Sequence, residues 1–375
     1  MGGLIVAVSL IAVLGVRRLP AAEAASLPPC FGQLSEHPLP EVLEWAREVR
    51  WVGERSLYLS TARAGVFKVE RDEPEKEPEL EIPSAERGSA SWSPTSLAVS
   101  DDRLVVGSKM FALGWARLGS ETFEAQEYFE FVVDLDVRGD EILILGMRKN
   151  EEGSAYASNG AYVWLASPGE EGLENLRPLA FSSYGSTSPA LGGCAGYLIG
   201  AARFLDDGSF VVAPVSEPGV FLYRADGTLE RSWQSEELGF DGGCDLSPEQ
   251  IRLGIFPEPQ QAWINARRVV DDVLVLDRRR FGLIVREYRD GLTRWVMRTV
   301  APEGPSYVCD AGIEAPSPWV HLRVDRNGEH IALLQVMKAH EVAKKLKPLM
   351  PPRLLLGRLG EDRERRLQAL LTTRR

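Results

Sequence analysis

One pattern recurs six times along the chain: a short apolar strand, a polar turn, and a second apolar strand rich in Val, Ile and Leu. The clearest copy is FLDDGSFVVAP, residues 204–214. Its relatives are VRWVGERSLYLST from Val49, LAVSDDRLVVGS from Leu97, LDVRGDEILILG from Leu135, RRVVDDVLVLDR from Arg267 and LRVDRNGEHIALL from Leu322. Two apolar runs joined by a tight turn of Asp, Gly or Asn are typical of a β-hairpin. The sequence therefore predicts six hairpins.

A second apolar segment follows each hairpin. These segments are GVFKVE from Gly65, FALGWARL from Phe111, GAYVWLA from Gly160, GVFLYRADGTLERSW from Gly219, FGLIVREYRDGLTRW from Phe281 and RLLLGRLG from Arg353. Two of them carry turns of their own, Asp226-Gly227 and Asp290-Gly291. Two hairpins per repeat make a four-stranded antiparallel unit, and a ring of six such units is a six-bladed β-propeller. A sandwich or an eight-stranded barrel does not explain six like hairpins, so we predict an all-β propeller with long inter-strand loops.

The stretch LDDGSFVVAP…GVFLYRADGTLERSW, residues 205–233, resembles six-bladed propellers of the NHL-repeat and gluconolactonase-like kind. In those propellers a strand ending in an Asp-Gly turn leads to strands of the dGxxyV and GVxxY types. The resemblance covers most of the chain from Val49 to Gly360 and implies the fold. Gluconolactonase-like propellers hold a divalent metal with acidic and amide side chains at the axial channel. The resemblance thus implies a lactonase-like hydrolase or lyase as an alternative function, but asparagine is scarce here and we predict no metal ligands.

The N-terminus has the pattern of a secretory signal: an apolar run from Leu4 to Val16, then Ala22-Glu23-Ala24 as a cleavage site. The run is shorter than the roughly 20 residues that span a bilayer, which favours a signal peptide over an anchor. Against this, no positive residue precedes Leu4. We predict a signal peptide or anchor at 1–25, an N-terminal arm at 26–48, the propeller at 49–360 and a basic tail at 361–375. The protein is predicted to be exported, to the periplasm or the extracellular space. Membrane anchoring is the alternative.

Four cysteines in an exported chain allow three pairings. Cys194 and Cys244 each follow a Gly-Gly pair in loop-like sequence, so we pair them. That leaves Cys30 with Cys309, which would tie the arm to the last part of the fold. The strand that closes the ring can come from this arm or from residues 363–371.

The repeated aspartate pairs, Asp101-Asp102, Asp206-Asp207 and Asp271-Asp272, are interpreted as turn residues whose carboxylates bind local backbone N–H groups.

Helical spacing of apolar residues is confined to residues 40–50 and 339–346. No nucleophile elbow, phosphate-binding loop or dinucleotide fingerprint is present. A net charge of −11 argues against a nucleic-acid-binding surface.

Ligand binding is predicted at one mouth of the propeller channel, on the long loops that precede blades, because loops on a rigid scaffold carry function. Aromatic rings beside carboxylates would suit a peptide, sugar or cation there. The candidate residues are Tyr184, Asp241, Asp245, Trp263, Tyr307, Asp310 and Trp319.

Taken together, these features predict an exported propeller that binds a protein or small ligand at the channel mouth and catalyses no reaction, with no required cofactor. The lactonase-like enzyme with a divalent metal is one alternative. An accessory subunit of a membrane-associated complex, held by the N-terminal segment and the basic tail, is the other.

Overall fold

The computed structural model of this chain describes residues 27–62, 64–83, 94–100, 102–108, 113–120, 125–127, 129–148, 161–169, 172–181, 200–214, 217–243, 266–337 and 350–360. Within these ranges the chain forms six antiparallel sheets of four strands each. The prediction of an all-β, six-bladed propeller is confirmed. In this described part, no helix is long and apolar enough to cross a membrane.

The blades follow one another along the chain. Blade 1 contains β2 (Ala46–Val52), β3 (Ser56–Thr61), β4 (Gly65–Glu70) and β5 (Glu79–Pro83); blade 2 contains β6 (Pro94–Val99), β7 (Arg103–Ser108), β8 (Leu113–Arg117) and β9 (Ala125–Glu127); blade 3 contains β10 (Phe129–Arg138), β11 (Glu141–Arg148), β12 (Ala161–Pro168) and β13 (Leu173–Phe181). Blade 4 contains β14 (Ala201–Phe204), β15 (Phe210–Ala213), β16 (Gly219–Tyr223) and β17 (Leu229–Gln234); blade 5 contains β18 (Val269–Val275), β19 (Phe281–Arg289), β20 (Leu292–Ala301) and β21 (Gly304–Ala315); blade 6 contains β22 (Val320–Asn327), β23 (His330–Met337), β24 (Arg353–Arg358) and β1 (Ser35–His37).

The first-named strand of each blade is its inner strand. Inner strands of neighbouring blades contact one another around the whole ring, in the order β2, β6, β10, β14, β18, β22 and back to β2. Six apolar clusters occupy the six junctions between blades, for example Leu205 and Leu222 of blade 4 packed with Phe281 and Leu283 of blade 5. Each sheet therefore buries both faces against its neighbours, which is why the ring must close.

The N-terminal arm closes the ring. Strand β1 pairs with β24, with Ser35 opposite Leu356 and His37 opposite Leu354. The arm is thus part of the propeller, and the inner strand of blade 1 begins at Ala46, ahead of the boundary drawn at residue 49.

The same arm is fastened to blade 5. Cys30 forms a disulfide with Cys309 of β21. The Cys30 N–H also donates to the carbonyl of Asp310 at 2.8 Å, and the Asp310 N–H donates to the carbonyl of Pro28 at 2.9 Å. The segment therefore bridges the last two blades.

Three sequence interpretations need correction. Residues 40–50 form only a short 3-10 helix, Glu41–Leu43, and then enter β2, because the mixed apolar and charged residues belong to a strand buried on both faces. The other predicted helix, at 339–346, lies outside the described residues.

The turn predicted at Asp271-Asp272 is also misplaced. In blade 5 the turn is at residues 276–280, so Asp271 and Asp272 lie within β18. Residues 304–315, predicted as part of a mouth loop, form the outer strand β21.

Candidate functional site

The two faces of the ring differ in their connections. Turns from the inner to the second strand, and from the third to the outer strand, lie on one face, here called the turn face. The opposite face, the loop face, receives the connections from second to third strands and from blade to blade. The predicted mouth residues Tyr184, Asp245 and Trp263 lie outside the described residues, as do Cys194 and Cys244.

The four described candidates do not form one group. Tyr307 and Asp310 are on β21, at the outer edge of blade 5. Asp241 accepts the Arg268 N–H at 2.8 Å and so fastens the chain that enters blade 5. Trp319 is 8% exposed and packs in the apolar cluster between blades 5 and 6. The structure therefore places two of these residues at the perimeter and the other two in packing positions.

The inner strands bring together a buried ring of alternating charge that sequence reasoning missed. The axial network, as we call it, consists of three carboxylates and three guanidinium groups, each residue at most 5% exposed. Its members are Glu48 and Arg50 of blade 1, Asp134 of blade 3, Arg203 of blade 4, Asp272 of blade 5 and Arg323 of blade 6.

Ion pairs connect the members of the axial network in sequence. Arg50 lies 2.9 Å from Glu48 (Nη1 to Oε1) and 3.6 Å from Asp134 (Nη2 to Oδ1). Arg203 pairs with Asp134 through Nη1 and with Asp272 through Nη2, the latter at 2.6 Å.

The Nε atom of Arg323 lies 3.3 Å from Glu48 Oε2. Asp272 attracts Arg323 electrostatically, but the two form no ion pair within 4.0 Å among the described residues. All six members are buried and lie on inner strands of the ring.

Carboxylates of the inner strands also satisfy backbone donors of the next blade. Asp134 accepts the Ala202 N–H at 2.9 Å. Asp272 accepts the Val324 N–H at 2.9 Å, and Asp325 accepts the Trp51 N–H at 2.7 Å. In the described part of the chain the six sheets are separate hydrogen-bonded units, so these side chains supply the hydrogen bonds that buried N–H groups at the blade junctions require.

Asp271 forms a second cluster beside the network. Its Oδ1 lies 2.8 Å from His321 Nδ1 and 3.3 Å from Arg286 Nε, and its Oδ2 accepts the Trp295 Nε1–H at 2.7 Å. Burial raises the pKa of this carboxyl, but Arg286, His321 and Trp295 outweigh it and the pKa falls to about 2. Asp271 is therefore held as a carboxylate that joins blades 5 and 6.

Burial acts differently on two other carboxyls. Burial raises the pKa of Glu48 to about 7, and the charges of Arg50 and Arg323 offset this only in part. Burial likewise raises the pKa of Asp136 to about 6, against the opposing effect of Arg203. Desolvation thus exceeds Coulombic compensation at both positions.

The sequence contained a signal for this network. Asp271 and Asp272 stand between two apolar pairs, Val269-Val270 and Val273-Leu274, and no glycine follows them. The turn of blade 4 does have one: Gly208 adopts φ +91°, and Asp207 Oδ1 accepts the Ser209 N–H at 2.9 Å. An aspartate pair that is not followed by a glycine, which could adopt the left-handed backbone conformation of a turn, is better interpreted as part of a buried strand.

A cavity of about 1240 Å³ opens on the turn face, around the end of blade 6. It is bordered by turns of blades 1, 5 and 6 and by the N-terminal arm. Its ionisable lining residues are Arg71, Arg280, Arg326, Arg358, His37, His330, Asp72 and Glu329. In a chain of net charge −11, four arginines and two histidines against two carboxylates make this turn-face cavity locally basic.

Two of the four arginines in the cavity are neutralised by neighbours. Arg71 Nε lies 2.8 Å from Asp72 Oδ1, and Arg280 pairs with Asp277. Within the described ranges, Arg326 and Arg358 form no ion pair. They leave the cavity with uncompensated positive charge.

Trp51 lines the same cavity and carries a buried indole Nε1 atom. The residue is 9% exposed and its ring centroid lies 6.3 Å from that of His330. Its indole Nε1 has no hydrogen-bond acceptor among the described residues. A buried donor without an acceptor destabilises the folded state unless a ligand or water supplies the acceptor.

Within the described ranges, no group of three or more His, Cys, Asp or Glu side chains has an arrangement that could hold a metal ion.

No protein-family model matches this chain, and no curated protein matches it. Among solved structures it is similar to U3-55K, at 8% sequence identity and a TM-score of 0.50, covering 88% of this chain and 99% of that one. It also matches the WD40 β-propeller domain of Doa1, at 10% identity and a TM-score of 0.41, covering 88% and 96% of the two chains. The β-propeller domain of Cps50 (Swd1) from Myceliophteria thermophila matches at 12% identity and a TM-score of 0.43, covering 84% and 87%. At these identities the likeness concerns the propeller fold alone, and the narrower NHL-like and gluconolactonase-like relationship stays a prediction.

Proposed function

We propose that this chain is an exported β-propeller binding protein whose ligand or partner segment occupies the turn-face cavity. The observation that carries the proposal is the cavity itself: about 1240 Å³, at a junction of three blades and the arm, with unpaired cationic side chains in its lining. Concave sites of several hundred Å³ with a few convergent polar groups are the usual form of ligand sites.

The axial network favours this location over the channel. Its charged groups are nearly fully buried and ion-paired with one another, so a ligand at that level would have to displace them. The turn-face cavity is open space lined by cationic groups. The proposed site therefore moves from the channel mouth on the loop face to the opposite face and towards the ring closure.

The Cys30–Cys309 disulfide supports the export part of the proposal, because disulfides persist in oxidising compartments outside the cytosol. Export is tested by cell fractionation and by sequencing the N-terminus of the mature protein. Cleavage near Ala25 or Ser26 is the expected result. A chain found in the cytosol with its thiols reduced would contradict export.

The binding site is tested by blocking it. Ser35 is an exposed residue of β1 that lines the cavity, so Ser35→Trp should fill the opening. Ser232, an exposed residue on the outer strand β17, offers the matched control Ser232→Trp. Small molecules of several chemical classes are screened for an increase in Tm, since a ligand of the folded state raises it. We expect the increase to be lost in Ser35→Trp and kept in Ser232→Trp. Ligands whose effect survives Ser35→Trp would place the site elsewhere.

A further inference from the structure

We infer that the wall of the turn-face cavity between blades 6 and 1 binds a small anion that carries phosphoryl or carboxylate groups. The inference rests on the proposed function and specifies its ligand class. The groups assigned to it are Trp51, Arg71, His330 and Arg358.

Strand register puts the two blade 6 groups on one side of the sheet. His330 lies directly opposite Arg358 in the β23–β24 pairing, and directly paired residues project to the same side. The His330 ring lies against the Trp51 ring of blade 1, with a centroid distance of 6.3 Å. Arg358 therefore projects towards blade 1 as well, into the space that Trp51 and Arg71 line.

The donors on this wall exceed the acceptors. Arg71 and Asp72 neutralise each other, and the Arg71 hydrogen bond lowers the pKa of Asp72. Arg358 has no ion pair among the described residues, and the Trp51 indole N–H has no acceptor there. The Arg358 guanidinium group and the His330 imidazole offer hydrogen-bond donors on this wall, beside the buried Trp51 indole N–H. Of the two carboxylates that line the cavity, Asp72 is paired with Arg71, and Glu329 forms no ion pair with Arg358 among the described residues. Anionic oxygens are the acceptors that such a set binds most strongly.

Other sides of the cavity are less suited to an anion. Arg280 pairs with Asp277, and Arg326 experiences the negative charges of Asp206, Asp277 and Asp325 although none is within ion-pair distance. The uncompensated charge is thus concentrated at Arg358, on the blade 1 side.

Calorimetric titration of the intact protein with pyrophosphate and with citrate, at constant ionic strength, tests the inference. We expect at least one of the two anions to bind with a Kd below about 1 mM. Binding of pyrophosphate alone would identify phosphoryl groups as the preferred chemistry, and binding of citrate alone would identify carboxylates. Binding of neither anion would overturn the inference.

Two variants examine the assigned donors. Arg358→Gln removes the charge and should weaken anion binding about tenfold or more. Trp51→Phe keeps an aromatic ring but removes the N–H, and should weaken binding about fivefold.

Each variant has a matched control. Arg289→Gln removes an exposed arginine that pairs with Asp290 on the loop face. Trp233→Phe removes another buried indole N–H that lacks an acceptor among the described residues, in the core of blade 4. Both controls should bind the anion as the parent does. Equal affinity in Arg358→Gln and Arg289→Gln would show that the anion binds elsewhere.

Failure of the inference can be told apart from failure of the proposed function. If neutral or cationic ligands raise the Tm in a manner sensitive to Ser35→Trp while neither anion binds, the cavity is a ligand site and only its anionic character is wrong. If the anion binds equally well in Ser35→Trp and in the parent, the turn-face location itself is wrong.

Discussion

Arg203 of blade 4 reaches Asp272 of blade 5 through Nη2 and Oδ1 at 2.6 Å, and the same guanidinium group also pairs with Asp134 of blade 3. One buried cation thus joins three consecutive blades. The pairing raises the pKa of Arg203 in spite of its burial, so its charge is permanent. Since buried ions are tolerated only when they are paired, Arg203 depends on both Asp134 and Asp272.

Replacing Asp272 by asparagine should therefore destabilise the fold. Asp272→Asn keeps the shape of the side chain but leaves three arginines facing two carboxylates in the axial network. Removing one partner of a buried pair costs about 3–5 kcal/mol. Urea unfolding at neutral pH measures the loss.

The exposed Asp290, whose side chain is 88% accessible, provides the control. Asp290→Asn should change the stability by no more than about 0.5 kcal/mol. A similar small effect of Asp272→Asn would show that the buried charges do not hold the blades together.

Glu48 gives the network a dependence on pH. Its pKa in the folded state is about 7, above the ordinary value of 4.5 for a glutamate, so the folded chain retains this proton to higher pH than the unfolded chain does. The contribution of protonated Glu48 to the free energy of unfolding is therefore fully present below about pH 4.5 and is lost as the pH rises through about 7. Glu48→Gln mimics the protonated form at every pH.

Comparison of Glu48→Gln with the parent isolates this contribution. The two proteins should have nearly equal unfolding free energies near pH 5, and the variant should be more stable by up to about 3 kcal/mol near pH 8. Urea unfolding at several pH values is the measurement. Glu314→Gln, at an exposed pair with Arg294, should follow the parent throughout. A variant that loses stability relative to the parent as the pH rises would mean that Glu48 is favoured as a carboxylate.

The fold was predictable because its signal is local and repeated. Short apolar strands joined by a polar turn, such as Asp207-Gly208 or Asn327-Gly328, indicate hairpins without reference to the rest of the chain, and six such hairpins predict a ring. Asp207 and Gly208 illustrate this, since the turn conformation follows from those two residues alone.

The candidate site was not predictable in the same way. Arg358, Trp51 and His330 are far apart in sequence and ordinary as residue types, and only strand register and ring closure bring them to one cavity. The axial network was missed for a related reason. Its six charged residues are scattered over five strands, with Glu48 and Arg50 both on β2, and residue type alone does not distinguish an aspartate in a strand from one in a turn.

Adjacent aspartates in blade 4 should differ in their effect on stability. Asp207 accepts hydrogen bonds from the Ser209 N–H and hydroxyl and lies 3.3 Å from Arg279 Nε (Oδ2), whereas no hydrogen bond to the exposed Asp206 side chain is found in the described part of the chain. We expect Asp207→Ala to cost about 1 kcal/mol and Asp206→Ala less than about 0.5 kcal/mol, measured by thermal or urea unfolding. Equal effects of the two substitutions would contradict the assignment of Asp207 as the turn residue.

The disulfide should matter to the fold because of what it joins. Cys30 and Cys309 are 279 residues apart, and the arm between Cys30 and β1 carries the strand that closes blade 6. The double variant Cys30→Ser/Cys309→Ser should lose about 2–5 kcal/mol of stability, through the gain of freedom in the unfolded chain and the loosening of the arm. Urea unfolding under oxidising conditions measures the difference.

The control is Cys194→Ser/Cys244→Ser, which retains the bond between the arm and blade 5. Its free energy of unfolding should still fall when a reductant is added. If reductant left that control unchanged, the Cys30–Cys309 bond would not stabilise the ring, and β1 would have to hold blade 6 by its backbone pairing and packing alone.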